Sequence, residues 1–158
     1  MNGKFTIRRF IRADAAEVRD VIHRGLREVN AKDCTAERFT ECCNFYTVER
    51  IIDQAETAHT YVAVSDAGRV VGTGTIAPYQ GSETESILLT IYVLPEQIGN
   101  GIGSEIVRTL EKDPYFLRAK RIEIPSSVFA VDFYRKMGYQ FKDGRQEPDG
   151  VFLMEKSK

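Results

Sequence analysis

The chain has 158 residues, enough for one domain with a substantial core. Apolar residues make up 42% and charged residues 28%, the proportions of an ordinary globular chain. A formal net charge of -1 gives no global field for nucleic acid or an anionic membrane, and the basic runs 8–12 and 118–121 read as solvated faces or strand edges.

Cys34, Cys42 and Cys43 form no regular spacing and no CxxC pair, which argues against a disulfide framework and fits a reducing cytosol. His23 and His59 lie in no ligand-like cluster, so no metal site is expected. The opening MNGKFTIRRFIRAD lacks a signal-peptide core, and no apolar run reaches the length of a membrane span. The expectation is a cytoplasmic protein.

KFTIRRF alternates as a first strand. Asp14 is expected to cap a helix, with Glu17 closing a capping box. Val18, Val21, Ile22, Leu26 and Val29 recur at helical spacing and carry that helix to about Asn30. Thr35 or a neighbour caps a second helix over AERFTECCNF. TVERIIDQAE reads as its continuation or as a further short helix.

From Thr60 the period changes. TYVAVS and RVVGTGTIA flank the turn DAG as a hairpin. Gly72 and Gly74 inside the second strand predict a bulge or a close backbone neighbour. Pro78 and YQGSETE form a loop. SILLTIYV is almost unbroken in apolar residues and predicts a central strand covered on both faces. Then comes VLPEQIGNGIGSEIV, in which Gly99, Gly101 and Gly103 alternate just before a helix carrying Ile106, Val107 and Leu110. That helix should stop before Pro114. RIEIP is a short strand, VFAVDFYRKM is helical with Gly138 as its C-terminal cap, and YQF and VFLME close as a hairpin across KDGRQEPDG. No repeat or linker interrupts the chain, so residues 1–158 read as a single domain of the α/β (α+β) class, with hairpins and crossovers mixed in one sheet.

The alternating glycines carry the chemistry. A helix N-terminus offers unpaired N–H groups and a partial positive charge. Removing side chains there lets a phosphate or pyrophosphate approach the backbone. The plain alternative is a sharp strand-to-helix turn. No Gly-Lys-Ser/Thr follows, so the segment is not a P-loop, and its spacing and late position make it a poor dinucleotide fingerprint.

Two segments together resemble the GNAT superfamily of acetyl-CoA-dependent N-acyltransferases. In the family's loop R/Q-x-x-G-x-G/A, Gly101 and Gly103 match the glycines, and Ile98 stands where Arg or Gln is usual. In SSVFAVDFYRKMGY, residues Ala130, Phe133, Tyr134, Lys136 and Gly138 match the family's N-x-x-A-x-x-F-Y-x-K-x-G-F, with Ser127 for Asn and Tyr139 for Phe. The likeness runs from about Lys4 to Glu155, with the first half matching by pattern only.

The resemblance implies a mixed, mostly antiparallel sheet splayed in the middle, between SILLTIYV and RIEIP, with helices on its flanks. It implies acetyl-CoA in the opening, its pantetheine arm paired with the backbone of Ile91, Tyr92 and Val93. The diphosphate would meet Ile98, Gly99, Asn100, Gly101, Ile102, Gly103 and Ser104, and Ser127, Phe133, Tyr134 and Lys136 would complete the coenzyme site. An amine would attack the thioester directly in a ternary complex, with Tyr134 donating a proton to the leaving thiolate. Tyr134 also reads as a core aromatic. Glu83, Glu85 and Glu123 are candidates for the base, and Glu85 is the one chosen. Tyr79 and Tyr92 are candidates for lining an acceptor pocket. The acceptor is an unspecified primary amine of a small molecule or peptide, no nucleic acid or membrane partner is expected, and a homodimer is allowed. Two other classes remain open: a non-catalytic acyl-CoA sensor, and a nucleotide- or NAD-binding protein using the same loop.

Overall fold

The computed structural model describes residues 4–28, 36–146 and 152–158. β1 (Phe5–Arg9) leads through a 3-10 turn into α1 (Ala15–Glu28), followed by α2 (Ala36–Phe45) and α3 (Val48–Thr57). β2 (His59–Ser65), β3 (Val70–Pro78) and β4 (Glu85–Val93) form a meander. Then come α4 (Ile102–Leu110), α5 (Pro114–Arg118), β5 (Arg121–Ser126), α6 (Val131–Lys136), β6 (Gln140–Gln146) and β7 (Phe152–Ser157).

These elements form because their apolar residues recur at the right period. In α1, Val18, Val21, Ile22 and Leu26 are all buried on one stripe. In α4, Ile102, Ile106, Val107 and Leu110 do the same. Each such side chain contributes about 1.5–3 kcal/mol on burial.

The seven strands lie in the order β1-β2-β3-β4-β5-β7-β6. Every pair is antiparallel except β4 with β5, which is parallel. That parallel pairing is short. Glu85 faces Arg121, Ser86 faces Ile122 and Ile87 faces Glu123, and there it ends. From Leu88 to Val93, β4 keeps β3 on one edge and has no strand among the described residues on the other. The sheet therefore splays between β4 and β5, as expected from the resemblance.

Helices cover both faces. A Cβ on Gly25 of α1 would lie 2.7 Å from the Tyr92 ring, so α1 packs directly on β4. On the opposite face, a Cβ on Gly74 would lie 2.6 Å from Ile106, and one on Gly72 would lie 2.9 Å from the same residue. The strand glycines thus make room for α4 to press against β3. The bulge expected within β3 lies against β2, where Ala63 pairs with Gly72 but Val64 pairs with Val70. A second, unexpected one lies between β3 and β4: Thr73 pairs with Tyr92 but Thr75 pairs with Leu89. The extra residue falls on β4, where Thr90 adopts φ +50°. A β-branched residue in this left-handed region is strained by roughly 1–2 kcal/mol. Its hydroxyl donates to Thr75 Oγ1 at 3.0 Å, and Thr75 Oγ1 lies 3.0 Å from Thr60 Oγ1.

Several local expectations need correction. Asp14 does not form a capping box with Glu17. Its carboxylate accepts from the Ile11 N–H at 2.9 Å and takes both Arg8 nitrogens, at 2.8 and 2.9 Å. Burial opposes ionisation of Asp14, but the Arg8 and Ile11 hydrogen bonds outweigh it and leave the carboxyl below its ordinary value. Glu17 instead reaches across to the Val70 N–H at 3.0 Å. Of the two readings open for TVERIIDQAE, the structure bears out the further short helix, opened by the Thr47 side chain accepting from the Arg50 N–H. An additional short helix, α5, fills the stretch after Asp113. Pro78 pairs with Ser86 at the end of β3 instead of opening the loop. The expected helix end at Asn30, the Thr35 cap and part of the last hairpin loop lie outside the described residues. No helix among the described residues is long and apolar enough to cross a membrane.

Candidate active site

The glycine segment leaves β4 through the Leu94 N–H, which donates to the Val71 carbonyl at 2.9 Å. A 3-10 turn at Pro95–Gln97 redirects the chain. Gly99 (φ +94°) and Gly101 (φ +83°) then adopt left-handed conformations that side chains resist. A Cβ at either would meet nothing within 4 Å, so packing is not what excludes one; backbone conformation is. Gly101 is the N-cap of α4 and supplies no side-chain cap.

The backbone donors here divide into two groups. The Ile98 N–H donates to Pro95 and the Asn100 N–H to Gln97, each at 3.3 Å. The N–H groups of Gly99, Gly101, Ile102, Gly103 and Ser104 meet no acceptor among the described residues. The helix dipole adds partial positive charge at the same place. The arrangement can take an anion of phosphate type by backbone alone. Ile98 is 45% exposed, an apolar side chain at the rim.

Two chain segments far apart in sequence meet beside this loop. A Cβ on Gly103 would lie 3.5 Å from Phe133 Cζ and 3.8 Å from Val93 Cγ2. Hence α6, the loop and the end of β4 share one wall. Ile91, Tyr92 and Val93 are half-buried on the stretch of β4 that β5 leaves unpaired. This corrects the expectation of a strand covered throughout: burial of β4 falls away where the sheet opens. The Tyr92 side chain lies on the α1 face, against Gly25.

Tyr134 is 5% exposed, and its hydroxyl meets no hydrogen-bond partner among the described residues. Its ring is 5.2 Å from Phe133 and 6.2 Å from Tyr139. Burial pushes its phenol above the ordinary value. A buried hydroxyl without a partner is uncommon in folded proteins and calls for an explanation. Tyr139, by contrast, donates to Glu111 at 3.1 Å. Lys136 is exposed, and Ser127 is half-buried with its carbonyl taken by Ser126 Oγ at 2.8 Å and the Ala130 N–H at 3.1 Å.

Glu85 sits where β4 and β5 are still paired, and its carboxylate is bonded to Arg121. Arg121 also reaches Glu155 at 2.9 Å and Glu123 at 3.2 Å. Burial disfavours the Arg121 charge, but its bonds to these carboxylates raise its affinity for the proton beyond the ordinary value. Lys142 Nζ adds a 2.7 Å contact to Glu123. The Arg121 guanidinium and Lys142 Nζ lie 5.2 and 5.8 Å from the Tyr79 ring centroid. Sequence reading placed Glu85 and Glu123 as separate candidates and gave no sign of this joint network. The Thr90 bulge and the Asp113 cap were also missed. Cys42 and Cys43 are half-buried and packed against the core. His23 Nε2 lies 2.9 Å from the Tyr46 carbonyl.

The turn of open backbone donors thus begins α4 directly after the stretch of β4 that β5 leaves unpaired, in a splayed mixed sheet. A family model described as the acetyltransferase (GNAT) family matches residues 25–139. The chain belongs to that family. It is 29% identical over 93 residues to YjgM of Escherichia coli K12, an uncharacterized N-acetyltransferase, and the match spans 56% of each protein. The chain thus aligns with about half the length of that curated relative. Its fold is similar to that of the PaiA N-acetyltransferase of Thermoplasma acidophilum, solved in complex with coenzyme A. The TM-score is 0.82 at 18% identity, covering 98% of this chain and 99% of that one. It is also similar to a GCN5-related N-acetyltransferase of Rhodopseudomonas palustris. There the TM-score is 0.81 at 19% identity, covering 100% and 98%.

Proposed function

We propose that the protein transfers an acetyl group from acetyl-CoA to a primary amine by direct attack in a ternary complex. The observation that carries this reading is the run of unpartnered N–H groups at Gly99, Gly101, Ile102, Gly103 and Ser104, continuous with the free edge of β4. A diphosphate suits the first and an extended amide-bearing arm suits the second, because each supplies what the backbone lacks. Leu88–Val93 is about 20 Å long at 3.3 Å per residue, a length suited to an extended pantetheine arm. Phe133 closes the wall against Gly103.

Free alkylamines are mostly protonated at neutral pH, so the amine must lose a proton before it attacks. Backbone donors on the β4 edge, near the Thr90 bulge, stabilise charge building on the thioester oxygen. Tyr134 donates to the departing thiolate. Its raised pKa keeps it protonated across the working range, and its hydroxyl has no competing partner among the described residues. Glu85 contributes through Arg121, as one of the carboxylates that fix the guanidinium.

The test is thiol release from acetyl-CoA with a panel of primary amines, alongside equilibrium binding of acetyl-CoA, NAD and ATP. Acetyl-CoA alone should bind, and thiol release should depend on the amine. Tyr134→Phe should lower kcat about 10²-fold with acetyl-CoA affinity and Tm preserved, since it removes only an unpartnered hydroxyl. An unchanged rate removes Tyr134 from the mechanism. Binding without release by the wild-type protein replaces transfer with an acyl-CoA sensor.

A further inference from the structure

β4 and β5 part immediately after the Ile87–Glu123 pair, so Glu123 stands at the closed end of the opening. It is only 4% exposed. Its two carboxylate oxygens are treated unequally. Oε1 takes Lys142 Nζ at 2.7 Å and both terminal Arg121 nitrogens at 3.2 Å. Oε2 meets no partner among the described residues. A buried anion with one saturated and one vacant oxygen is costly unless something else uses the vacant one.

The surrounding charges point to a cation. Glu85 comes from β4, Arg121 from β5, Glu155 from β7 and Lys142 from β6, with Tyr79 from the end of β3 beneath the two cations. Three carboxylates thus face two cations, and both cations are engaged. The excess charge is negative, with its vacant acceptor on Glu123. Glu85 lies two positions further back along the paired segment, about 7 Å, and is held by Arg121. Glu155 lies one strand further away, opposite Glu123 on β7.

We propose that Glu123, through Oε2, accepts the proton that the acceptor amine must lose; this rests on the transfer reading above. The ammonium nitrogen gives one proton to Glu123 through solvent in the opening. The freed lone pair forms the N–C bond to the thioester carbon, and the C–S bond breaks. The thiolate takes the Tyr134 proton. The second proton shed by nitrogen as the amide forms restores Tyr134, and Glu123 returns its own to solvent. Each transfer releases one proton to bulk.

Glu123→Gln tests this, because a Gln oxygen still accepts from Arg121 and Lys142. Thiol release with acetyl-CoA and a panel of alkylamines, amino acids and diamines is followed from about pH 6 to about pH 10, where alkylamines deprotonate unaided. The expected result is a loss of about 10²-fold in kcat near neutrality, closing as pH rises, with acetyl-CoA Kd and Tm unchanged. Glu155→Gln, which removes a carboxylate from the same network, should keep the wild-type pH profile. Wild-type rates in Glu123→Gln, or an equal deficit at every pH, overturn the proposal and leave transfer standing if the wild-type protein turns over. No thiol release by the wild-type protein overturns both. Should the Gln variant fail to fold, Glu123→Asp decides: a wild-type pH profile at reduced rate supports the role, and a deficit that closes with pH as expected of a missing acceptor, despite the carboxylate, overturns it.

Discussion

α4 and α5 follow one another in the chain and begin in opposite ways. At α5, Asp113 fills the N-terminus with its own carboxylate, which accepts from the Tyr115 N–H at 2.8 Å, lies 2.9 Å from His59 Nδ1 and takes the Tyr61 hydroxyl at 2.7 Å. Its side chain is fully buried. At α4, Gly101 offers no side chain, and the first N–H groups meet no acceptor among the described residues. The backbone chemistry is the same at both ends. One is satisfied from within and serves stability; the other is left open, where we propose that an anion binds, and gives up a cap contribution of about 1 kcal/mol.

The largest effect expected from this contrast lies at the closed end. Asp113→Ala removes the cap and strands two half-buried partners, His59 Nδ1 and the Tyr61 hydroxyl. The cost is about 3 kcal/mol, which lowers Tm by roughly 6–12 °C in a chain of this size. Coenzyme affinity should not change. A loss of affinity without a fall in Tm would show that the two ends are not separate in function.

Next in size is a change that makes the open end resemble the closed one. Gly101→Asp places a carboxylate where the diphosphate is proposed to bind. It should weaken coenzyme A binding by about 2–3 kcal/mol, or roughly 30–150-fold, by occupying donors and repelling the anion. Isothermal titration measures it. Undiminished binding would mean the diphosphate rests elsewhere.

The two ends also differ in how they respond to alkali. Burial, with the bond to Asp113, holds the Tyr61 phenol up to about 12, whereas Tyr134 is raised by burial alone. Both phenols stay neutral in the fold at a pH where they ionise in the unfolded chain. Their stabilising contribution is therefore complete below about pH 10 and is lost as pH rises through the folded values. Tm should decline progressively over that range. Asp113→Asn, which removes the charge raising Tyr61, should make the decline shallower, while Tyr134→Phe should do so without involving the α5 cap.

The two ends were unequally readable in the sequence. The open one is marked by glycine at alternate positions between a strand and a helix, a pattern that a plain sharp turn also uses. The closed one carries its signal too, Asp113 followed by Pro114, but the short PYFLR segment lacks the periodicity by which a helix is read. The splay could not be read from SILLTIYV. Its apolar run predicts burial on both faces, and nothing local says that β5 departs after Ile87. The Glu123 network depends on the last hairpin inserting β7 between β5 and β6, which brings Glu155 and Lys142 to Arg121 and Glu123 from the far end of the chain. Asp14 had the right residue type for a cap, but Arg8 and the Ile11 N–H claimed its carboxylate. Local chemistry was readable wherever a residue acts within its own turn, and was lost wherever its partner arrives from another strand.

The smallest effect tests whether the open end is complete. Ile98 stands at the rim, 45% exposed, with its N–H already given to Pro95. The loop therefore relies on backbone donors alone, and no side-chain cation is built into its first position. Ile98→Arg adds one. Because the site is exposed, the gain is limited by screening and by the rotamer freedom an arginine loses: about 0.5–1 kcal/mol, or two- to fivefold in coenzyme A affinity. The gain should shrink as salt rises. Removing exposed apolar surface costs the fold little, so Tm should stay level. If affinity does not improve at low ionic strength, the rim at Ile98 does not face the diphosphate, and the contrast between the two helix ends reduces to the glycines themselves.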